Sequence, residues 1–147
     1  MARRVFFSFE YGDVTRAMVV RNSWVTKADR QSAGFIDAAE FEKLERTGDQ
    51  AVRNWIDDQL KNTSVTAVLV GAKTCNSKWV KYEIAKSIER RNGLLGIDIS
   101  KIADFKRVTT ERCGEIPAGY PFYLWNNDGG ATNLAKWIEK AAKDAGR

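Results

Sequence analysis

The run Val65–Val70 (VTAVLV), closed by Gly71, is continuously apolar and rich in β-branched residues. A strand of that composition has no polar side to show to water, so it belongs in the centre of a sheet covered on both faces. The rest of the chain supplies such a frame. Arg4 to Phe9 reads as a first strand, with Glu10–Asp13 as its exit turn, and Val14 to Lys27 as a helix. Gly34–Ile36 reads as a brief second strand, residues 38 to 47 as a helical turn, and Asp49 as the cap of a helix carrying Val52, Trp55, Ile56 and Leu60. After the central strand, Asn76 or Ser77 caps a helix with the stripe Val80, Ile84 and Ile88, and Leu94 to Ile99 gives a fourth strand. Residues 100–119 lack a firm pattern and form a connection longer than usual. Pro121 to Trp125 supplies a fifth strand, and a last helix presents Leu134, Trp137, Ile138, Ala141 and Ala142. Strands alternating with helices predict an α/β fold, a five-stranded parallel sheet in the order 2-1-3-4-5 between two helical layers.

A chain of 147 residues fits a single domain spanning 1–147. It contains no histidine, which removes Ser/His/Asp and Cys/His units and His-containing zinc sites. Cys75 and Cys113 are too few for a cysteine-rich metal site, and Cys75 reads as an incidental thiol because no base stands near it in the sequence. The apolar stretch in MARRVFFSFE is too short for a signal-peptide core, and the longest nearly apolar run, Thr66 to Ala72, is far below a membrane span, so a cytoplasmic protein without membrane contact is expected. The net charge of +5 arises in residues 73–112, which hold ten Lys/Arg against five Asp/Glu. Without a Lys/Arg-rich block, this reads as a solubilising face that also attracts small anions rather than as a nucleic-acid track.

In a sheet of this order, ligands sit outside the carboxyl ends of the first and third strands, where the strand order reverses. The two loops there are Glu10–Asp13 and Ala72–Trp79, the latter leading into the helix with Glu83. Glu83 falls at the edge of that helix's apolar stripe, within reach of the cleft; a helical Glu at such a place is more often a surface residue pairing with Lys81 or Lys86. Other chemistries of this fold fail on residues. A phosphoacceptor receiver needs an Asp ending strand three and a Lys after strand five, where Val70-Gly71 and Trp125-Asn126 stand. No GxGxxG or GxxxxGK[ST] occurs. The adjacent pair Asp57-Asp58 lies on the polar side of its helix and reads as surface.

Four blocks in order, RVFFSFEYGD (4–13), VRNSW (20–24), GFIDAAEFE (34–42) and SKWVKYEIAKS (77–87), resemble the TIR-like family first described as flavodoxin-like proteins, which includes the signal-generating subunit of Thoeris anti-phage defence systems. The similarity runs over about residues 3–99. The element Ser77-x-Trp79-x-x-x-Glu83 is similar to the helix of enzymatic TIR domains that bears the catalytic Glu.

That resemblance implies cleavage of the nicotinamide-ribose bond of NAD as substrate, with no cofactor and no metal, and cyclisation of the ADP-ribosyl product into a second messenger. It implies Glu83 as the catalytic residue and Phe9, Tyr11, Asp37 and Trp79 as pocket residues. The partners it implies are NAD, a separate effector that reads the product, a phage-derived trigger and further copies of the chain. Two other functions remain open on the residues alone: a non-enzymatic TIR-like interaction module, in which Trp79 and Glu83 are packing and surface residues, and a nucleoside deoxyribosyltransferase-like enzyme.

Overall fold

The computed structural model describes residues 3–147. Five strands, β1 (Arg3–Ser8), β2 (Arg30–Ala33), β3 (Val65–Val70), β4 (Gly93–Asp98) and β5 (Phe122–Leu124), form one sheet in the order β2-β1-β3-β4-β5. Every pairing is parallel. The helices are α1 (Val14–Trp24), α2 (Ala38–Thr47), α3 (Asp49–Leu60), α4 (Lys78–Glu89) and α5 (Gly130–Asp144). This is the flavodoxin-like architecture expected from the alternation of patterns.

Side chains alternate across a strand, so residue parity assigns each to a layer. Val5, Phe7, Val65, Ala67, Leu69, Leu95 and Ile97 pack with Ala17, Val20 and Trp24 of α1 and with Leu134, Trp137 and Ile138 of α5. On the opposite face Phe6 meets Val52, Ile56 and Leu60 of α3, and Val68 and Val70 meet Val80 of α4. Two positions on that second face of β1 and β3 carry hydroxyls instead of hydrocarbon, Ser8 and Thr66, and both are fully buried. Thr66 pairs with Ser87 of α4 at 2.7 Å, and Ser87 in turn donates to the Glu83 carbonyl, so α4 is fixed in height and rotation over the sheet.

Three local expectations are corrected. The second strand is Arg30–Ala33, not Gly34–Ile36. An edge strand needs no apolar run, and the apolar residues that follow leave the sheet at Gly34, whose φ of 92° suits glycine. Phe35 then packs against the rings of Phe7 and Phe9. Helix α3 is preceded by Gly48 as its N-cap, while Asp49 lies in its first turn and pairs with Lys78 of α4 at 2.9 Å. Residues 38–47 make a full helix, α2, rather than a single turn.

The connection 100–119 contains no helix or strand but is tied down. Buried Arg16 donates to the carbonyls of Ile102 (2.7 Å) and Val108 (2.8 Å). Farther along, Cys113 is bonded to Cys75, which overturns the reading of Cys75 as an incidental thiol. Backbone bonds from Cys75 N–H to the Cys113 carbonyl (2.8 Å) and from Cys113 N–H to the Gly71 carbonyl (2.9 Å) bring the sulfurs together across a separation of 38 residues. No helix among the described residues is long and apolar enough to cross a membrane.

Candidate active site

The exits of β1 and β2 and the helices α2, α3 and α4 enclose a cleft of about 230 Å³. Its lining includes Phe9, Glu10 and Tyr11 from the β1 exit, Phe41, Glu42 and Glu45 from α2, Trp55 from α3, Ser77 before the start of α4, and Trp79 and Glu83 from its first half. Four of the five residues expected at a site thus meet here: Phe9, Tyr11, Trp79 and Glu83. Asp37 does not line the cleft. Its carboxylate caps α2 by accepting the N–H groups of Ala39 (2.8 Å) and Glu40 (3.4 Å), which holds in place the helix bearing Phe41 and Glu45.

Glu83 is not at the border of the buried face of α4 but in its middle. The buried residues of the helix are Val80, Glu83 and Ser87, whereas Ile88, assigned to the apolar stripe, is exposed. The helix is rotated because its polar side meets polar partners: Ser8 Oγ donates to Glu83 Oε1 at 2.8 Å and Thr66 meets Ser87. The N-cap is Ser77, whose hydroxyl accepts the Val80 N–H at 3.2 Å.

With only 6% of its surface exposed, Glu83 is held in a medium that disfavours charge. Burial pushes its pKa from 4.5 up to about 8, opposed by the hydrogen bond from Ser8. Neither Lys81 nor Lys86 partners it; Lys86 lies 3.4 Å from Glu89 instead. A carboxyl so perturbed, set in a cleft lined with aromatics, has the physical marks of a reactive group.

The walls are aromatic and mutually braced. Tyr11 stacks on Phe41 with ring centroids 5.6 Å apart, Phe9 packs on Phe35 at 4.8 Å, and Phe41 meets Trp55 edge-on at 6.1 Å. The Tyr11 hydroxyl donates to the Ile36 carbonyl. Tyr82, one residue before Glu83, faces α3, where its hydroxyl bonds Asp57 at 2.9 Å, so Asp57 is an interhelical acceptor rather than plain surface.

A second buried carboxyl, Asp13, lies behind the β1 exit turn. One of its oxygens has no hydrogen-bond partner, and burial together with the nearby Glu10 raises its pKa. It occupies the space that a side chain at Gly71 would need.

Sequence reasoning missed Glu10, Phe41, Glu42, Glu45 and Trp55 as lining residues. The spacing of Phe41 and Glu45, four apart on one helix face, was a usable signal; Trp55 was hidden because it shares a stripe with true core residues. The basic excess of residues 73–112 does not face the cleft, since no Lys or Arg lines it. Lys78 is paired with Asp49, Lys101 with Glu111, and Arg112 lies 3.6 Å from Asp98.

A parallel 2-1-3-4-5 sheet with one deeply buried Glu facing an aromatic cleft at its switch point defines a TIR-like α/β domain. The chain belongs to the family described as Thoeris protein ThsB, TIR-like domain, whose sequence model matches residues 6–104. It is also 45% identical, over 139 residues, to a protein of Bacillus cereus (strain MSX-D12) named "Putative cyclic ADP-D-ribose synthase ThsB1", the match covering 93% of this chain and 72% of that one.

Proposed function

We propose that this protein cleaves the nicotinamide-ribose bond of NAD and closes the ADP-ribosyl product into a cyclic ADP-ribose isomer, a second messenger for a separate effector in Thoeris anti-phage defence. The observation that carries this reading is Glu83, buried, bonded to Ser8 and turned into an aromatic cleft. Family membership and the printed name of the Bacillus cereus relative support it.

The chemistry suits a chain without histidine. The nicotinamide of NAD is a pyridinium that departs neutral, so no general acid is needed, in contrast with the pair of carboxyls that hydrolyses ordinary glycosides. Glu83 in its ionised form stabilises the oxocarbenium-like transition state, and the approach of a cationic substrate itself favours that form over the protonated one. Phe9, Tyr11 and Trp79 form walls that limit the access of water to the reacting carbon. Cyclisation follows when a nucleophile of the same molecule reaches the anomeric carbon before water does.

The direct test is mass spectrometry of NAD incubated with the protein and with Glu83→Gln. Release of nicotinamide with a cyclic product supports the proposal. Turnover by Glu83→Gln within a few-fold of the parent would remove Glu83 from the chemistry, because a positioned acid or base contributes about 100- to 10,000-fold.

A further inference from the structure

The cleft combines two features not required merely to hold a dinucleotide. Its walls include the five aromatic side chains Phe9, Tyr11, Phe41, Trp55 and Trp79, and its ionisable lining residues besides Tyr11 are all acidic: Glu10, Glu42, Glu45 and Glu83. Aromatic faces attract cations through the ring quadrupole, and carboxylates add a field of the same preference. Of Glu83, only Oε1 is engaged, by Ser8. Glu42 is partly offset by Arg46 at 3.5 Å, one helical turn away, while Glu45 is in no ion pair among the described residues. At about 230 Å³ the cleft is smaller than the roughly 300–1,000 Å³ usual for a drug-sized ligand, so it encloses part of a dinucleotide and not the whole. Phosphates would meet carboxylates here and find no cation among the lining residues.

We propose that the cleft is an organic-cation site in which Glu42 and Glu45 select the positive ring of the substrate, so that nicotinamide riboside, a pyridinium nucleoside without any phosphate, is itself hydrolysed. This rests on the NAD-cleaving role assigned to Glu83. The bond between C1′ of the ribose and the ring nitrogen breaks with its electron pair passing to nitrogen, giving neutral nicotinamide. The oxygen of a water bonds to C1′ and loses a proton to solvent, so that nicotinamide riboside and water yield nicotinamide, ribose and one proton.

The experiment measures nicotinamide release from nicotinamide riboside and from NAD by the parent protein, by Glu45→Gln and by Glu42→Gln/Glu45→Gln. In parallel, quenching of tryptophan fluorescence reports binding of 1-methylnicotinamide, a bare pyridinium, and of neutral nicotinamide, since Trp55 and Trp79 line the cleft. Both substituted positions are solvent-exposed, so the fold tolerates the changes. The proposal expects cleavage of the riboside, tighter binding of 1-methylnicotinamide than of nicotinamide, and a loss of roughly three- to tenfold in kcat/KM for the riboside in the double variant, carried by KM. Cleavage of NAD without cleavage of the riboside would overturn the inference and leave the NAD reading standing. Equal binding of the charged and neutral rings, or a double variant that binds both as the parent does, overturns it too. If NAD is not cleaved, the role of Glu83 falls, while the binding arm still decides whether the cleft selects cations.

Discussion

Ser8 at the end of β1 and Glu83 in the middle of α4, 75 positions apart in sequence, share a hydrogen bond of 2.8 Å inside the protein. The donor hydroxyl favours the charged carboxylate, while burial favours the neutral acid and wins, leaving the pKa at about 8. On the role proposed for Glu83, the ionised form that acts is therefore the minor form at neutral pH in the free protein. The activity is expected to rise with pH through about 8 in kcat/KM. Ser8→Ala removes the contact that lowers the pKa and moves the rise to higher pH. A pH profile of nicotinamide release in which the two proteins rise together would refute the coupling.

Glu83 also makes the fold less stable as pH increases. Its folded-state pKa lies above the ordinary 4.5, so the native protein holds this proton more tightly than the unfolded chain does. The stabilisation is complete below about pH 4.5 and declines as pH rises towards about 8, above which the full cost of a buried charge remains. Glu83→Gln escapes that cost. Its Tm is expected to exceed the parent's by several degrees at pH 8, with the gap narrowing towards pH 5, each unit of pKa shift corresponding to about 1.4 kcal/mol. Equal Tm values across this range, measured by calorimetry, would contradict it.

How much of this was legible in the sequence depends on which forces set each feature. Val65–Val70 could be read residue for residue, because a strand buried on both faces is apolar nearly throughout, Thr66 alone bringing a hydroxyl. Phe9 and Tyr11 of the β1 exit and Trp79 and Glu83 of α4 could be named by resemblance. The rotation of α4 could not, because Val80, Ile84 and Ile88 make the better apolar stripe and only the hydroxyls of Ser8 and Thr66, on distant strands, turn Glu83 and Ser87 inward. The pairing of Cys75 with Cys113 depends on backbone bonds between two loops, which no local pattern encodes.

Gly71, at the end of β3, is expected to tolerate no side chain. A Cβ there would collide with the Asp13 carboxyl, which is buried and cannot move aside freely. Gly71→Ala should cost about 1–3 kcal/mol in urea unfolding, the usual range for overpacking. Adding Asp13→Ala should recover part of the loss through the shared space, and strictly additive effects in the double-variant cycle would rule that out.

The Cys75–Cys113 bond should stabilise the chain by about 2–4 kcal/mol through its 38-residue loop. Dithiothreitol, or replacement of both cysteines by Ser, should lower the denaturation midpoint accordingly. It should also speed tryptic cleavage at Lys106 and Arg107, which lie exposed in the segment the bond restrains. Unchanged cleavage after reduction would mean that the Arg16 contacts alone hold this segment.

The alternation of layers along β1 gives the protein an uneven tolerance to genetic change. Phe6 and Phe7 are core side chains, and substitutions that keep their volume should be borne by repacking. Insertion or deletion of one residue in this strand is a different matter, because a shift of register exchanges the two faces. Phe7 or Phe9 would then arrive where Ser8 stands, and the buried acid of α4 would face an aromatic ring with no proton to offer. Single-codon gains and losses in β1 should therefore abolish function at positions where single-letter exchanges are silent.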